Sequence, residues 1–307
     1  MDTRALLLVN RHARRGKDDL LQAIQSLQEL GFALREESTE HPEHLAEVIQ
    51  RYRDQVDMVI VGGGDGTLNA AVQGLVGMHL PLGILPLGTA NDLARTLGIP
   101  PSVPEACQII AGGQLRSIDL GWVNGQYFLN TASMGLSVKI TRNLTSEAKR
   151  TWGVLAYAAT AIQVLLKARP FQAEIRWRAP NSEKEESVLV KTLQIAVGNG
   201  LYYGGGMAVA HDADVDDQRL DLYSLEVDHW WEVIFALPAL RKGTQFQLPN
   251  IRTIEAQEIE VFTRKPRSIN TDGEITTMTP AHFRVIPHAL SVFVPKPQES
   301  PESYVKI

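Results

Sequence analysis

The sequence predicts an α/β amino-terminal domain with a mostly parallel sheet, followed by a β-rich second domain. Two observations favour this fold class. In the first third of the chain, short apolar runs alternate with stretches that carry apolar residues at helical spacing, which is typical of successive β-α units. From about residue 117, segments that alternate apolar and polar residues follow one another with turns between them, which is typical of antiparallel strands.

The strands of the first domain are expected to be parallel, because a predicted helix lies between each strand and the next. Gly31 ends the first helix, since glycine readily adopts the left-handed conformation that closes a helix. In chain order the predicted elements are strand 5–9, helix 18–30, strand 32–35, helix 43–52, strand 58–61, helix 68–75 and strand 82–85.

The second domain is predicted to be mostly strands, interrupted by helical stretches at residues 146–167 and 230–241. Both helices are rich in apolar residues and are expected to be buried, including Trp230 and Trp231. The predicted strands of this domain lie at residues 126–131, 171–178, 188–197, 220–225 and 258–263.

These elements divide the chain into an α/β domain at residues 1–125 and a β-rich domain at residues 126–287. A strand at about residues 288–296 could return to the first domain, and the sequence alone leaves this open. The last residues, 297–307, are polar and contain proline, so we expect a loose tail.

Composition and charge limit the classes of function. The chain has 307 residues, 44% of them apolar, and its formal charge of -5 shows no broad basic face for nucleic acid. The single cysteine, Cys107, excludes an internal disulfide, and the apolar part of residues 1–10 is too short for a signal peptide. We therefore expect a cytoplasmic protein. The apolar stretch 154–166 falls short of the ~20 residues that cross a bilayer.

The segment VGGGDGTLNA, residues 61–70, lies between a predicted strand and a predicted helix. Such turns at the carboxyl edge of a parallel sheet bind ligands, and glycines let backbone N–H groups approach a phosphate closely. Thr67 can cap the helix or bond a phosphate oxygen. Asp65 would repel a phosphate unless a cation lies between them, which implies Mg²⁺. The alternative is a glycine-rich turn whose aspartate only caps the helix.

The segment ILPLGTANDLARTLGIP, residues 84–100, repeats this design after the next strand. Gly88 shapes a turn, Thr89 offers a hydroxyl, and Asn91 and Asp92 stand at the start of a helix. Because the two loops follow neighbouring strands, they can face one ligand.

The pair GGDGTLN and PLGTAND, residues 63–69 and 86–92, resembles the catalytic domain of the diacylglycerol kinase family, in particular the bacterial YegS-like lipid kinases. GGDGT alone is shared with NAD kinases and phosphofructokinases. YFLNTASMG, residues 127–135, is similar to the family's interdomain segment, and VGNGLYYGGGM, residues 197–207, to its glycine-rich loop over the cleft. The resemblance implies a Rossmann-like first domain of the NAD kinase and diacylglycerol kinase type, a β-sandwich second domain, and a nucleotide between them.

The loop HDADVDDQRLDL, residues 211–222, is similar to a family loop that binds Mg²⁺ through one aspartate side chain and two backbone carbonyls. The resemblance implies that Asp217 is the side-chain ligand and that Asp214 and Arg219 supply the carbonyls. The family usually has glycine where this chain has Gln218, which leaves the shape of the turn open. From composition alone, the aspartates could equally form a solvated surface.

The segment INTDGEITT, residues 269–277, matches the family's Asp-Gly-Glu motif. A kinase that phosphorylates an alcohol needs a carboxylate to orient the hydroxyl and accept its proton. The resemblance implies that the base lies in this motif, and we expect it to be Glu274, with Asp272 as its near rival. We expect Asp65 to organise metal and water beside the phosphates. Asp-Gly is also a common hairpin turn, which is the structural alternative for this motif alone.

The nucleotide contacts implied by the resemblance lie mainly in the two loops. The family's first strand usually ends in Asn-Pro, and here Asn10 is kept but the proline is replaced by Arg11. Thr39 lies where the family has a threonine that contacts the nucleotide. The complete predicted set is Asn10, Thr39, Gly63, Gly64, Asp65, Gly66, Thr67, Leu68, Asn69 and Thr89.

These observations predict an ATP- and Mg²⁺-dependent lipid kinase that transfers the γ-phosphate of ATP to a hydroxyl of a diacylglycerol- or phosphatidylglycerol-like lipid, with a role in phospholipid biosynthesis. The lipid would be met by transient peripheral contact with a membrane, for which the apolar stretches 154–166 and 230–240 are the candidates, although both are expected to be buried helices. One alternative is a kinase for a soluble substrate such as NAD. The other is a non-catalytic nucleotide- or lipid-binding protein, which Gln218 and the lost Asn-Pro pair make conceivable. The sequence does not indicate which lipid is used, or the oligomeric state.

Overall fold

The computed structural model describes residues 3–9, 16–38, 44–143, 160, 163–178, 184–210 and 212–296. The predicted tail, most of the predicted helix at 146–167 and the predicted nucleotide-binding residues Asn10 and Thr39 lie outside the described residues. No helix in the described part of the chain has both the length and the apolar character that a membrane span needs.

The first part of the chain confirms the predicted alternation of strands and helices. Its elements are β1 (Thr3–Val9), α1 (Gly16–Glu29), β2 (Phe32–Ser38), α2 (Leu45–Tyr52), β3 (Met58–Gly63), α3 (Asp65–Leu75), β4 (Leu82–Pro86), α4 (Asp92–Thr96) and α5 (Val103–Gly112).

The four strands β2, β1, β3 and β4 pair in parallel in that order. Every residue of β3 and β4 is buried, because helices cover both faces of such a sheet, and this explains why these strands read as unbroken apolar runs. Helix α3 begins at Asp65, three residues before the predicted start, so the Asp-Gly-Thr of the first loop forms its first turn.

The second part of the chain is mostly antiparallel. Its elements are β5 (Leu115–Val123), β6 (Gln126–Phe128), β7 (Thr131–Gly135), α6 (Leu136–Asn143), β8 (Phe171–Arg178), β9 (Glu185–Thr192), β10 (Gln194–Gly198), β11 (Tyr202–Tyr203), β12 (Met207–Ala208), β13 (Leu220–Leu225), α7 (Trp230–Lys242), a 3₁₀ turn (Gln245–Gln247), β14 (Ile251–Ala256), β15 (Glu258–Thr263), β16 (Ser268–Thr271), β17 (Glu274–Met278) and β18 (Ala281–Phe293).

Strand β18 links the two parts of the chain. Its residue Val292 pairs in parallel with Leu82 of β4, while its first residues pair antiparallel with β15. The parallel sheet therefore continues through β18 and β15 to β8 and β9, with β5 paired to β18 and β6 to β5. A second sheet, in the order β14-β13-β10-β7-β16-β17, packs on the antiparallel end of the first through a shared apolar core, as in a β-sandwich.

Helix α7 corresponds to the helix predicted at residues 230–241, but the expectation that its tryptophans are buried is wrong. Trp230 and Trp231 are exposed, while Val233, Ala236 and Leu240 face the core. The sequence of this helix is apolar on all sides, so its pattern alone did not distinguish the packed face from the outer one.

Candidate active site

The two glycine-containing turns meet at the ends of β3 and β4, where Gly63 lies opposite Pro86 in the sheet. A Cβ atom built on Gly88 would lie only 2.4 Å from the Cα of Gly64, so the two backbones are in direct contact. No larger residue fits at Gly88 without a shift of the backbone. The structure thus joins the two predicted loops into one surface at this edge of the sheet.

Helix α3 starts at this surface with Gly64 as its N-cap, and this glycine has no side chain that could bond the first N–H groups of the helix. Asp65 lies in the first turn, while Thr67 and Asn69 are buried beneath it. A Cβ atom on Gly63 would lie 2.6 Å from the Cβ of Thr67, so the strand end and the helix are tightly packed. The uncapped N–H groups and the helix dipole favour an anion at this point.

The second turn is held by Asn91, which adopts a left-handed conformation with φ of 51°. Its Oδ1 accepts a hydrogen bond from the N–H of Gly88 at 2.9 Å, and its Nδ2 donates to the carbonyl of Gly88 at 3.1 Å. Thr89 stays exposed at the tip of the turn. The backbone N–H of Leu93 donates to Oδ1 of Asp65 at 3.2 Å, which ties the first turn of α4 to the first turn of α3.

Asp92 is a buried carboxylate that connects this surface to the second part of the chain. Its Oδ2 accepts a hydrogen bond from the N–H of Gly205 at 2.8 Å, and Gly205 belongs to the glycine-rich loop between β11 and β12. Its Oδ1 lies 3.7 Å from Nη1 of Arg95 and has no hydrogen-bond partner among the described residues. Burial raises the pKa of Asp92, and the charge of Asp65 raises it further.

The Asp-Gly-Glu motif forms the turn between β16 and β17, where Asp272 has a positive φ of 48°. The Asp272 carboxylate accepts three backbone N–H groups of the interdomain segment, from Leu129 at 2.6 Å, Asn130 at 3.0 Å and Thr131 at 2.9 Å. Burial raises the pKa of Asp272 to about 6 although these three hydrogen bonds lower it, and the charge of Asp65 acts in the same direction as burial. Glu274 is exposed at the start of β17.

The aspartate-rich loop turns on Gln218, which adopts a positive φ of 58°. Its N–H donates to Oδ2 of Asp119 at 2.7 Å. The side chain of Asp217 points back into the loop, where it accepts the N–H of Asp214 at 3.1 Å and the N–H of Arg219 at 3.2 Å. Gln218 therefore takes the left-handed conformation for which glycine is the usual residue.

The loop carries an excess of negative charge around Arg219. The guanidinium lies within 4 Å of four carboxylates, and burial raises the pKa of Asp217 while neighbouring Asp119 raises it further. No group of three or more His, Cys, Asp or Glu side chains within the described ranges is arranged as a metal site. A site built from the Asp217 carboxylate and the carbonyls of Asp214 and Arg219 needs only one such side chain. A carboxylate oxygen and two carbonyl oxygens are ligands that Mg²⁺ accepts, so the residues present fit this ion.

Two residues that the sequence did not single out connect these parts. The buried Asp119 of β5 accepts the N–H groups of Gln218 and His288. The buried Asn199 donates to the carbonyls of Asp119 at 3.0 Å and Leu129 at 3.1 Å. In the sequence, Asp119 could have been recognised as a functional candidate, because it is a carboxylate within the apolar strand β5. Nothing local to the sequence marks Asn199, because its partners are distant along the chain.

Comparison with known proteins gives two family matches that together span most of the chain. Residues 4–123 match the diacylglycerol kinase catalytic domain. Residues 130–294 match the YegS C-terminal NAD kinase β-sandwich-like domain.

Named relatives cover nearly the full length. The chain is 30% identical over 287 residues to a diacylglycerol kinase of Bacillus subtilis, covering 91% of this chain and 92% of that protein. It is 31% identical over 298 residues to a Pseudomonas aeruginosa protein named "Probable lipid kinase YegS-like", covering 96% of each. A crystal structure from Bacillus anthracis, named for a diacylglycerol kinase, superposes with a TM-score of 0.79 at 26% identity, covering 95% of this chain and 97% of that one.

Proposed function

We propose, for a chain that belongs to the diacylglycerol kinase catalytic domain family and is a lipid kinase, a specific reaction. In this reaction the γ-phosphate of ATP is transferred to a lipid hydroxyl, and Mg²⁺ is required. The single observation that carries this proposal is the contact between the two glycine-containing turns, at Gly64 and Gly88. This contact creates one anion-binding surface from two strand ends and a helix N-terminus.

We propose that the phosphates of ATP bind over residues 63–69 and Thr89. The uncapped N–H groups of α3 would neutralise charge on the phosphoryl group as it is transferred, and each such donor is worth ~10²–10³ in rate. Phosphoryl transfer depends mainly on positioning and charge neutralisation, which a rigid backbone surface can supply. The tight packing of Gly63 on Thr67 supports that rigidity.

Mg²⁺ would supply charge neutralisation on the phosphate oxygens when bound. Asp65 faces this surface from the first turn of α3, and its hydrogen bond from Leu93 fixes one carboxylate oxygen. We propose that Asp65 organises the metal and water next to the phosphates. The loop around Asp217 would hold another cation, through the Asp217 carboxylate and the carbonyls of Asp214 and Arg219, and this cation would balance part of the loop's negative charge.

Glu274 rather than Asp272 is proposed as the base that accepts the proton of the lipid hydroxyl. Both oxygens of Asp272 already accept backbone N–H groups of Leu129, Asn130 and Thr131, so this side chain holds the interdomain segment. Glu274 lies two residues further on and is exposed, which supports its access to a substrate. In this arrangement Asp272 positions the motif and Glu274 moves the proton.

Diacylglycerol or a phosphatidylglycerol-like lipid is the proposed acceptor, with access by peripheral contact with a membrane. The proposal is tested by assaying the purified protein with Mg²⁺-ATP and mixed micelles of each lipid, followed by extraction of labelled product into organic solvent. We expect a labelled lipid, and a loss of turnover on the order of 10³-fold in Asp65→Ala. Asp54→Ala is the matched control, because Asp54 is an exposed aspartate outside the two turns.

Other results would assign a different activity. Labelled product that stays in water when NAD replaces the lipid would identify a kinase for a soluble substrate. Binding of Mg²⁺-ATP without turnover on any of these lipids would mean that none of them is the acceptor.

A further inference from the structure

Helix α7 presents a continuous apolar surface to the outside of the molecule. The residues that form this surface are 42% to 78% exposed, and Phe235 is the most exposed of them. Phe246, in the 3₁₀ turn that follows the helix, is exposed as well. We call this surface the α7 face. Its members are Trp230, Trp231, Ile234, Phe235, Leu237 and Phe246.

The α7 face is anchored to the fold by the opposite side of the same helix. Val233, Ala236 and Leu240 are buried in the core that α7 shares with the second sheet. A helix that is apolar all round is normally covered on every side. A large apolar surface that is exposed, like this one, is typical of a site that binds a protein or a membrane. Because the inner side is packed, the outer one is held in a fixed orientation.

The chemistry of the α7 face suits the boundary of a lipid bilayer. Trp230 and Trp231 lie at one end of the helix, and tryptophan is favoured at the level of lipid headgroups. A groove of about 220 Å³ runs beside the helix between Trp231, Phe235, Leu248 and Ile251, large enough for part of an acyl chain. Ile234 and Phe235 stand where they can enter the apolar layer.

The charges around the α7 face favour an anionic surface. Arg241 and Lys242 are exposed in the last turn of the helix. At the other end the charge of Asp228 is balanced by Lys191 at 3.0 Å. Glu232 keeps its charge, and it lies in the first turn of the helix, where the helix dipole favours a carboxylate. Basic residues beside an apolar helix face are attracted to anionic phospholipids.

The α7 face is also connected to the proposed nucleotide site. Gln245, just after α7, donates hydrogen bonds to the carbonyls of Ala208 and Val209 at the end of β12. Strand β12 directly follows the glycine-rich loop, whose Gly205 N–H bonds the carboxylate of Asp92. The loop over the cleft and the base of the α7 face are thus parts of one hydrogen-bonded unit.

We propose that the α7 face docks the enzyme on a bilayer that contains anionic phospholipid, with its aromatic and aliphatic side chains in the lipid interface. The inference rests on the proposed function, because a lipid acceptor is the reason for the enzyme to meet a bilayer. The inference adds to that function by naming the α7 face as the surface that contacts the bilayer.

Flotation with vesicles of phosphatidylcholine and phosphatidylglycerol tests the docking. The variant Trp230→Ser/Ile234→Ser/Phe235→Ser removes apolar side chains that are exposed, so the fold should be kept, and its melting temperature and circular dichroism check this. We expect vesicle binding to fall on the order of 100-fold. The matched control is Leu21→Ser/Leu189→Ser, which removes two exposed leucines from α1 and β9 and should bind vesicles like the wild type.

Activity in two substrate forms separates docking from catalysis. The α7 variant should lose activity on diacylglycerol in vesicles by a similar factor, but keep it on a short-chain diacylglycerol dissolved in water. Unchanged vesicle binding in the variant would overturn the proposal. If the wild type self-associates and the variant does not, with no change in vesicle binding, the proposal is also overturned and the α7 face belongs to a contact with a second copy of the chain. Vesicle binding that depends on the α7 face, without turnover on either form, would leave docking in place and remove the proposed kinase reaction.

Discussion

The carboxylate of Asp65 accepts a hydrogen bond from the backbone N–H of Leu93 at 3.2 Å. These residues are 28 positions apart, and each lies in the first turn of a helix that follows a strand of the parallel sheet. The bond fixes the angle between the two turns before any ligand is present. A carboxylate beside an anion-binding surface is otherwise unfavourable, and this bond stabilises Asp65 in that position.

The contact between the turns predicts a strong effect of Gly88→Ala. The new Cβ would lie 2.4 Å from the Cα of Gly64 and 2.6 Å from Oδ1 of Asn91, so the turns must move apart. We expect a loss of ~1–3 kcal/mol in the free energy of unfolding, as in other overpacked sites. ATP affinity, measured by calorimetry with Mg²⁺, should fall at least about tenfold, since a shift of the turns costs more than 1.4 kcal/mol of binding.

Gly112→Ala is the control for that substitution. Among the described residues, none lies within 4 Å of a Cβ atom built on Gly112, which is the last residue of α5. The alanine should stabilise the protein by up to ~1 kcal/mol and leave ATP affinity unchanged. Equal ATP binding by the Gly88 variant and the wild type would mean that the two turns do not share one ligand.

The division of roles in the Asp-Gly-Glu motif predicts different defects for its two acids. Glu274→Gln should lower kcat by ~10²–10⁴ with little change in melting temperature, because the side chain is exposed and its proposed task is proton transfer. Asp272→Asn should lower the melting temperature as well, because an amide nitrogen would face one of the N–H groups of Leu129, Asn130 or Thr131.

The exposed Glu186 of β9 supplies the control, and Glu186→Gln should change neither kcat nor melting temperature. The assignment would be reversed by two results together. Asp272→Asn would lose all activity with an unchanged melting temperature, and Glu274→Gln would stay active, which would make Asp272 the base.

The pKa of Asp272 predicts a pH dependence of stability. Burial raises this pKa from its ordinary 3.8 to about 6, so the folded protein holds the proton over a range in which the unfolded chain has lost it. The stability from this group is complete below about pH 4 and is lost as the pH rises through about 6. Relative to Asp272→Asn, the wild type should therefore lose on the order of 2 kcal/mol between pH 4 and pH 7.

Urea unfolding at a series of pH values measures this difference, and other titrating groups cancel because both proteins contain them. If the wild type instead gains on the Asp272 variant as pH rises, the three N–H groups outweigh burial and the charged carboxylate is the favoured form.

The left-handed conformation of Gln218 predicts that glycine is tolerated there. A non-glycine residue at a φ of 58° costs roughly 1 kcal/mol, and Gln218→Gly removes that cost while keeping the backbone N–H that bonds Asp119. The free energy of unfolding, measured in urea, should stay the same or rise by up to ~1 kcal/mol. Gln218→Val should lower it by more than ~1 kcal/mol, because a β-branched side chain resists this conformation. A destabilised glycine variant would show that the Gln218 side chain, which lies 3.3 Å from Nε2 of His288, holds the loop.

The parallel sheet could be predicted from sequence because its strands are buried on both faces and read as apolar runs. The start of α3 was predicted three residues late, because glycines at 64 and 66 and an aspartate between them resemble a loop when tertiary packing is unknown. The exposed tryptophans of α7 were predicted to be buried for a related reason. Apolar residues on every side of a helix do not indicate which side meets the core.

Sequence alone determined the class of fold, the two glycine turns and the acids beside them, because backbone freedom and charge are properties of single residues at known spacing. Tertiary structure alone decided which of those acids accept hydrogen bonds from the backbone and which remain exposed. Asp272 is held by three N–H groups and Asp92 by the N–H of Gly205, whereas Glu274 is left exposed. Hydrogen-bond partners come from segments far apart in the chain, and only folding brings them within 3 Å, so no local pattern can report them.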